Sequence, residues 1–235
     1  MAADLMSNRL LSGLDDHERQ IIARHVRPMS FGSGYSFFQD GQEMHHAFFV
    51  VTGLISLVTT LSDGFGVETA IIGREGAIGL TPDLRPSPSI GSAIGQAPGE
   101  ALQIDLGRLA EAADSSAVLR SRISRFADQI SADNRQSAVC LARHDLEPRL
   151  CRWLLKCQDR LGRDLLPLTQ EFLGHMLGSQ RSTVSQTAAR LEKAGLIRYS
   201  RGRITVLDRP GLEARACECY ATLRQREREF GIDPD

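Results

Sequence analysis

The chain has 235 residues, 42% of them hydrophobic, a formal net charge of −1 and five cysteines. That length and apolar content can bury a real core and predict two domains joined by a helix, with no internal repeat and no low-complexity tract. No apolar run is long enough to span a bilayer, the N-terminus carries Asp4 without an apolar export segment, and an odd cysteine count without framework spacing fits a reducing compartment, so a cytoplasmic protein with no membrane partner is expected.

Residues 5–27 place Leu10, Leu14, Ile21, Ile22 and Val26 at helical spacing and predict one or two short helices before Pro28. From Phe31 to about Leu106 glycine recurs between short apolar runs such as Ala47-Phe48-Phe49-Val50-Val51, which predicts a small all-β roll or barrel. The proline-rich stretch 81–99, with Pro82, Pro86, Pro88 and Pro98, is expected to be partly loop. A long helix is then predicted over 116–144, where Leu119, Ile123, Phe126 and Ile130 recur at spacings of four, three and four. Asp133 and Ser137 continue that stripe, so the seam turns polar halfway. Packing on the chain's own β-domain would give the same stripe, but a seam this narrow suits a symmetric partner better, and these four residues are expected to form a homodimer contact. Pro148 fits the first turn of the next helix, and Trp153-Leu154-Leu155 is expected to bury it against the domain that comes after it.

Residues 168–207 read as a winged helix-turn-helix. Gly174 and Gly178 lie four apart, flanked by Leu173 and Leu177, with Val184 six residues later. Two short helices crossing at a tight turn need that pattern: one glycine for close approach, the second to end a helix in a left-handed conformation, and apolar side chains to fill the crossing. An αα-hairpin that binds nothing could carry the same glycines. The segment C-terminal to the second helix favours DNA: Leu196-Ile197-Arg198-Tyr199 and Arg203-Ile204-Thr205-Val206-Leu207 predict a β-wing around Ser200-Arg201-Gly202, and residues 181–209 hold seven Arg or Lys against two acids, a local net of +5. Gln180, Arg181, Ser182, Ser185 and Gln186 fall on the outward face of the second helix and are expected to meet base edges. Thr169, Thr183, Arg190, Arg201 and Arg203 complete the predicted DNA-binding set.

This order of helix, β-roll, long helix and winged helix resembles the Crp/Fnr family of bacterial transcription regulators over nearly the whole chain. Leu168-Thr169-Gln170-Glu171, Thr183-Val184-Ser185 and Arg190-Leu191-Glu192-Lys193-Ala194-Gly195-Leu196-Ile197 look like the family's helix-turn-helix signature. Phe48-Phe49-Val50-Val51-Thr52-Gly53 and Ile72-Gly73-Arg74-Glu75-Gly76-Ala77-Ile78-Gly79 look like its β-roll phrases. The resemblance implies an α+β fold: an N-terminal β-roll (double-stranded β-helix or jelly roll) at 1–115, a dimerisation helix at 116–144 and a winged helix-turn-helix at 145–235. It implies a transcription regulator that binds a palindromic operator in double-stranded DNA as a homodimer, with RNA polymerase as a further partner.

Members that bind cyclic nucleotides carry a Gly-Glu pair for the ribose and an Arg-Ser-Ala triplet whose arginine meets the cyclic phosphate. Here Leu80 comes after Gly79, and Gly91-Ser92-Ala93 stands at the triplet, so both anchors are missing from this degenerate effector pocket. A buried phosphate would lose charge-assisted hydrogen bonds of about 1.5–3 kcal/mol each. The effector is therefore expected to be an unknown small molecule other than a cyclic nucleotide, or to have been lost altogether. A cyclic-nucleotide-responsive regulator is the alternative. Arg181 matches an arginine that reads guanine in the family, but Ser182 and Gln186 replace the rest of the usual trio, so Gln186 is expected to favour adenine.

No cysteine precedes Cys140, which excludes an N-terminal iron–sulfur cluster, and Cys217-x-Cys219 on a helix would point to two faces. Buried apolar roles are expected for most cysteines, with no metal and no cofactor, although a thiol- or haem-based sensor stays open. A cupin-like metal enzyme would need a His-x-His pair with a subsequent Glu and a further His. His45-His46 does not supply it, and no enzyme activity is expected.

Overall fold

After a 3-10 turn at Leu5–Ser7, two short helices, α1 (Arg9–Ser12) and α2 (Asp16–Ala23), open the chain in the computed structural model, which describes residues 5–168, 173–174, 176–200 and 202–231. Buried Asn8 caps α1 by accepting from the amides of Leu10 and Leu11, and its side-chain amide donates to the carbonyls of Val50 and Gly76, both at 2.8 Å. One residue thus ends the terminal segment and ties it to the β-domain. Asp15 and Glu18 close α2 with a reciprocal capping box.

Eight strands come next: β1 (Arg27–Phe31), β2 (Ser36–Phe38), β3 (Glu43–Met44), β4 (His46–Thr60), β5 (Gly66–Ile72), β6 (Ala77–Ile78), β7 (Ser87–Pro88) and β8 (Ser92–Asp105). The main sheet runs β1-β8-β4-β5, with β2 added to β8 and β6 to β4, and β3 pairs with β7, all antiparallel. The stretch 81–99 is partly loop, as expected: 81–91 is irregular apart from β7, whereas β8 runs from Ser92 straight through Pro98. Proline cannot donate to the ladder, and the register of β4 against β8 slips repeatedly between Val50 and Ile55 to absorb it. Gly53 makes that irregularity possible: its φ is +84°, and a Cβ there would lie 2.7 Å from the Ala97 carbonyl oxygen.

Helix α3 (Leu106–Ser115) packs on the roll, and α4 (Ala117–Arg143) comes after it with Ser116 as its N-cap, within one residue of the expected span at each end. The stripe on α4 faces a different surface from the one expected. Leu119 is 1% and Phe126 4% exposed, both inside the roll's own core, and the Phe126 ring lies where a Cβ on Gly76 would stand. Asp133 on the same line pairs with Lys156 at 2.9 Å and accepts from Gln129 at 2.7 Å. Leu119, Phe126, Asp133 and Cys140 are seven residues apart and buried, so the heptad line packs within the protomer. Ile123 and Ile130, half-buried, flank it.

Helix α5 (Leu146–Leu161) carries Pro148 in its first turn and ends at left-handed Gly162. Trp153 lies with Leu150, Leu154 and Leu155 in the C-terminal core, as expected, and its indole also reaches the roll, donating to Glu68 Oε1 of β5 at 2.6 Å. That core also contains Leu54, Val58 and Ile71 from β4 and β5, so the roll and the C-terminal module share one apolar interior. Arg160 crosses the same junction, 2.8 Å from both Glu75 and Glu227, with all three side chains at most 3% exposed. Then come β9 (Leu165–Leu166), α6 (Arg181–Lys193), β10 (Ile197–Ser200), β11 (Arg203–Val206), α7 (Arg209–Arg215) and α8 (Cys219–Phe230), with the three strands ordered β10-β11-β9. Among the described residues, no helix is long and apolar enough to cross a membrane.

Candidate functional site

The turn before α6 has the predicted geometry. Leu173 and Gly174 are helical, the Leu177 amide donates to the Leu173 carbonyl at 3.1 Å, and Gly178 takes a φ of +55°. A Cβ on Gly174 would lie 3.3 Å from the Ser179 carbonyl oxygen, so the close approach expected of this glycine is present. Leu173, Leu177, Val184, Ala188 and Leu191 fill the crossing. Arg149 of α5 donates to the Leu177 carbonyl, which fastens the turn to α5.

Burial of that one face of α6 orients the other outward. Gln180, Arg181, Ser182, Thr183, Gln186 and Arg190 are exposed, clustered on the first two and a half turns. Ser185 is half-buried, and its hydroxyl donates to the Arg181 carbonyl at 2.9 Å, so it is partly withdrawn from the surface. Arg190 is held from below, with Nε 3.2 Å from Glu147 and a terminal nitrogen donating to the Thr187 hydroxyl at 3.1 Å. Gln180 is the N-cap of α6 but makes no side-chain cap bond, so the first amides of the helix point outward beside Arg181. Free amides and the positive end of the helix dipole suit a phosphate. The wing is built as expected: β10 and β11 pair from Ile197–Val206 to Ser200–Arg203, with Arg198 and Arg203 exposed. Thr169 and Arg201 lie outside the described residues.

At the other end, the roll and α4 line a partly open cavity of about 310 Å³. Gly79 and Leu80 line it, together with Leu57, Ile72, Phe126 and Ile130. None of the lining residues is ionisable. The Thr81 hydroxyl donates to the Arg85 carbonyl at 2.9 Å and the Ser89 hydroxyl to the Gln39 carbonyl at 2.6 Å, so two of the few polar groups are already engaged. Gly91, Ser92 and Ala93 do not join the lining. The Gly91 amide donates to Asp40 Oδ1 at 2.7 Å, the Ser92 hydroxyl accepts from the Asp40 amide at 3.1 Å, and Ala93 is fully buried in β8. Backbone geometry accounts for both glycines: Gly79 has a φ of +76° and Gly91 of +90°, and a Cβ would meet the carbonyl oxygens of His46 and Val58 at 2.3 and 2.8 Å.

Between the two ends, Glu68 sits under Trp153 and beside Ser56, whose hydroxyl is 2.6 Å away. Burial pushes its carboxyl up to about 7, and the hydrogen bonds from Ser56 and Trp153 moderate the shift. All five cysteines are buried. Cys151 and Cys157 lie in the apolar core, and burial raises both thiols, Cys151 to about 12. The expectation for Cys217-x-Cys219 is corrected: α7 ends at Arg215 and α8 starts at Cys219, so the pair brackets a break in the helix, and both thiols turn toward Cys140 and His144 of α4. Sequence reading passed over His144, although Cys-x3-His near a helix end was visible.

The fold thus combines a roll with a cavity beside it, a long helix and a winged helix-turn-helix. Residues 148–215 match the family model described as the Crp-like helix-turn-helix domain, so the chain carries a Crp-like DNA-binding module. It is similar to the CRP-like cAMP-activated global transcriptional regulator of Mycobacterium tuberculosis, 22% identical over 215 residues, spanning 88% of this chain and 96% of the relative. The fold matches FixK2 from Bradyrhizobium japonicum (TM-score 0.71, 18% identity, 82% of this chain and 98% of that one). It also matches the c-di-GMP responsive global regulator CLP of Xanthomonas campestris (TM-score 0.66, 15% identity, 82% and 99%). These relatives are regulators, not enzymes, which sets the cupin-like reading aside.

Proposed function

We propose that the protein binds a palindromic operator as a homodimer, inserting the N-terminal half of α6 into the major groove, and that an uncharged, largely apolar small molecule occupying the cavity between roll and α4 sets its activity. The observation that carries this reading is the contrast between an exposed, basic helix N-terminus at Arg181 and a cavity with no ionisable lining. A cyclic phosphate has no cation to meet in that cavity, and desolvating it there without one is unfavourable. The cyclic nucleotides named for the relatives from M. tuberculosis and X. campestris are therefore not carried over to this chain.

The dimer contact shifts by one face from the sequence expectation. With Leu119 and Phe126 committed to the roll, the partner meets Ile123, Ala127, Ile130 and Leu141, which share an alternating four-and-three spacing with Asn134 and Ser137 and are at least partly exposed. Ala127 and Ile130 also line the cavity, so an occupant would touch the helix that joins the two copies. RNA polymerase is the protein partner for such a dimer on DNA.

Cyclic AMP and cyclic GMP at millimolar concentration should leave the melting temperature unchanged, whereas a ligand at 100 times its Kd stabilises by about 2.7 kcal/mol. A saturable shift with either nucleotide would reject the apolar-effector reading. Ala127→Glu with Leu141→Glu should give folded monomers in sedimentation; unchanged dimers would reject the contact.

A further inference from the structure

Cys140, His144, Cys217 and Cys219 come together from two places 73 residues apart, and their donor atoms all lie within 4.8 Å of one another. Cys140 and His144 are one helical turn apart at the end of α4, His144 being its C-cap. Cys217 and Cys219 come from the break between α7 and α8, where the Cys217 amide donates to the Pro148 carbonyl. We propose that these four residues bind one thiophilic divalent ion of the zinc type, with Cys3His ligation, and that the ion pins the α7–α8 junction of the DNA-binding module to the end of the dimer helix.

The distances fit a mononuclear tetrahedron. Zinc–sulfur bonds of about 2.3 Å and zinc–nitrogen bonds of about 2.0–2.1 Å place neighbouring ligand atoms about 3.6–3.8 Å apart. The Cys140 and Cys217 sulfurs are 3.5 Å apart, and the Cys219 sulfur is 3.6 Å from His144 Nδ1. A polynuclear iron–sulfur cluster needs its thiolates spread around several metal atoms, which this spacing does not allow. With four protein donors the site is closed, the form that structural zinc takes.

The surroundings match what such ligands require. With the metal on Nδ1, His144 turns Nε2 to Glu218, 3.1 Å from its carboxylate, the outer partner that fixes a ligating imidazole's orientation. Gln136 of α4 donates its side-chain amide to the Cys219 sulfur at 3.1 Å, as outer-shell donors do to bound thiolate. Three thiolates around a divalent cation leave a net charge of −1. Arg152 is close enough to Cys140 and Cys217 to act on both electrostatically, is 8% exposed, and keeps its Nε without a hydrogen-bond partner among the described residues. The three cysteines also form an apolar-side cluster of their own, apart from both large cores. Binding replaces three thiol protons by one metal ion, so three S–H bonds break, three metal–sulfur bonds form and up to three protons leave to solvent.

The test uses the full-length protein, purified under reducing conditions, stripped with a chelator and titrated with Co2+ as a spectroscopic probe, then with Zn2+. One Co2+ per chain should bind with the visible bands of tetrahedral thiolate-rich cobalt, Zn2+ should displace it, and native mass spectrometry of the zinc form should show one ion per chain. Cys217→Ser and Cys219→Ser should each lower affinity by more than the 10- to 100-fold cost of losing an outer-shell partner, and Glu218→Gln should fall within that range. Cys151→Ser, outside the cluster, should bind like wild type. If a cysteine variant does not fold, His144→Gln, at the partly exposed edge, decides: the cobalt spectrum must change. Absence of a bound ion in folded, reduced protein, an unchanged spectrum in His144→Gln, or a Cys140–Cys217 disulfide in place of metal would overturn the proposal.

Discussion

The recognition helix and the cavity handle polarity in opposite ways. On α6 the polar side chains are displayed: Arg181, Ser182, Thr183 and Gln186 stand in solvent, and the buried face is apolar except for Thr187, whose hydroxyl donates to the Thr183 carbonyl. Around the cavity the polar groups are turned away, with the Thr81 and Ser89 hydroxyls bonded to backbone carbonyls. One end displays polar and basic groups, and the other is lined without an ionisable one. On the proposed reading, such an architecture could keep its output while changing what it senses, because fold and site chemistry reside in different residues.

Both ends depend on the junction between them. Arg160→Met should have the largest effect, since it leaves the carboxylates of Glu75 and Glu227 buried without their cation. A loss of about 3–5 kcal/mol is expected, read as a Tm drop on the order of 10 °C. A variant as stable as wild type would mean that the two regions are not joined through this pair. Phe126→Ala removes a ring shared by the roll core and the cavity wall and should cost about 3 kcal/mol. It should also enlarge the cavity, so that an added apolar probe molecule recovers part of the loss in thermal scans. No recovery would argue against the cavity as a binding space.

Glu68→Gln sharpens the comparison at the junction. The folded carboxyl titrates near 7 against an ordinary 4.5, so between those values the folded protein holds a proton that the unfolded chain has released. Stability therefore falls as pH rises through that window, and the variant should remove the slope: equal to wild type near pH 4, and about 3 kcal/mol more stable at pH 8. Denaturation at the two pH values checks it, and a variant less stable at pH 8 would contradict the assignment. Arg190→Ala should change stability by less than about 0.5 kcal/mol, because its pair with Glu147 is exposed, yet still weaken DNA binding. A large stability loss would move Arg190 from the DNA interface to the scaffold.

The helix-turn-helix was legible because its constraints are local: Gly178 must be left-handed, Val184 must fill the crossing, and the wing lies within thirty residues of both. The boundaries of α4 were legible for the same reason, since Ser116 caps it and Pro148 starts the next helix. The face that α4 presents was not. A heptad line shows that something packs there without saying what, and here the roll's own Gly76 leaves the space that Phe126 fills. Trp153 packs in the C-terminal core as its sequence neighbours suggested, but its bond to Glu68, 85 residues away, was not legible. The cysteine cluster needed the helix break at Cys217, which a helical reading of Cys-x-Cys concealed. Of the two positions that suggested an uncharged cavity, Leu80 lines it and Gly91 does not.

The central claim, that α6 reads bases while the wing holds the backbone, is tested most directly by binding of wild type, Arg181→Ala and Arg203→Ala to a pool of randomised duplexes at several salt concentrations. Wild type should select a palindrome with half-sites about one helical turn apart. Arg181→Ala should lose about 1–3 kcal/mol on that site and relax preference at one base pair per half-site. Arg203→Ala should instead weaken every sequence alike and flatten the salt dependence. Uniform loss of affinity with Arg181→Ala would contradict the docking of α6, and failure of wild type to bind any duplex would contradict the function.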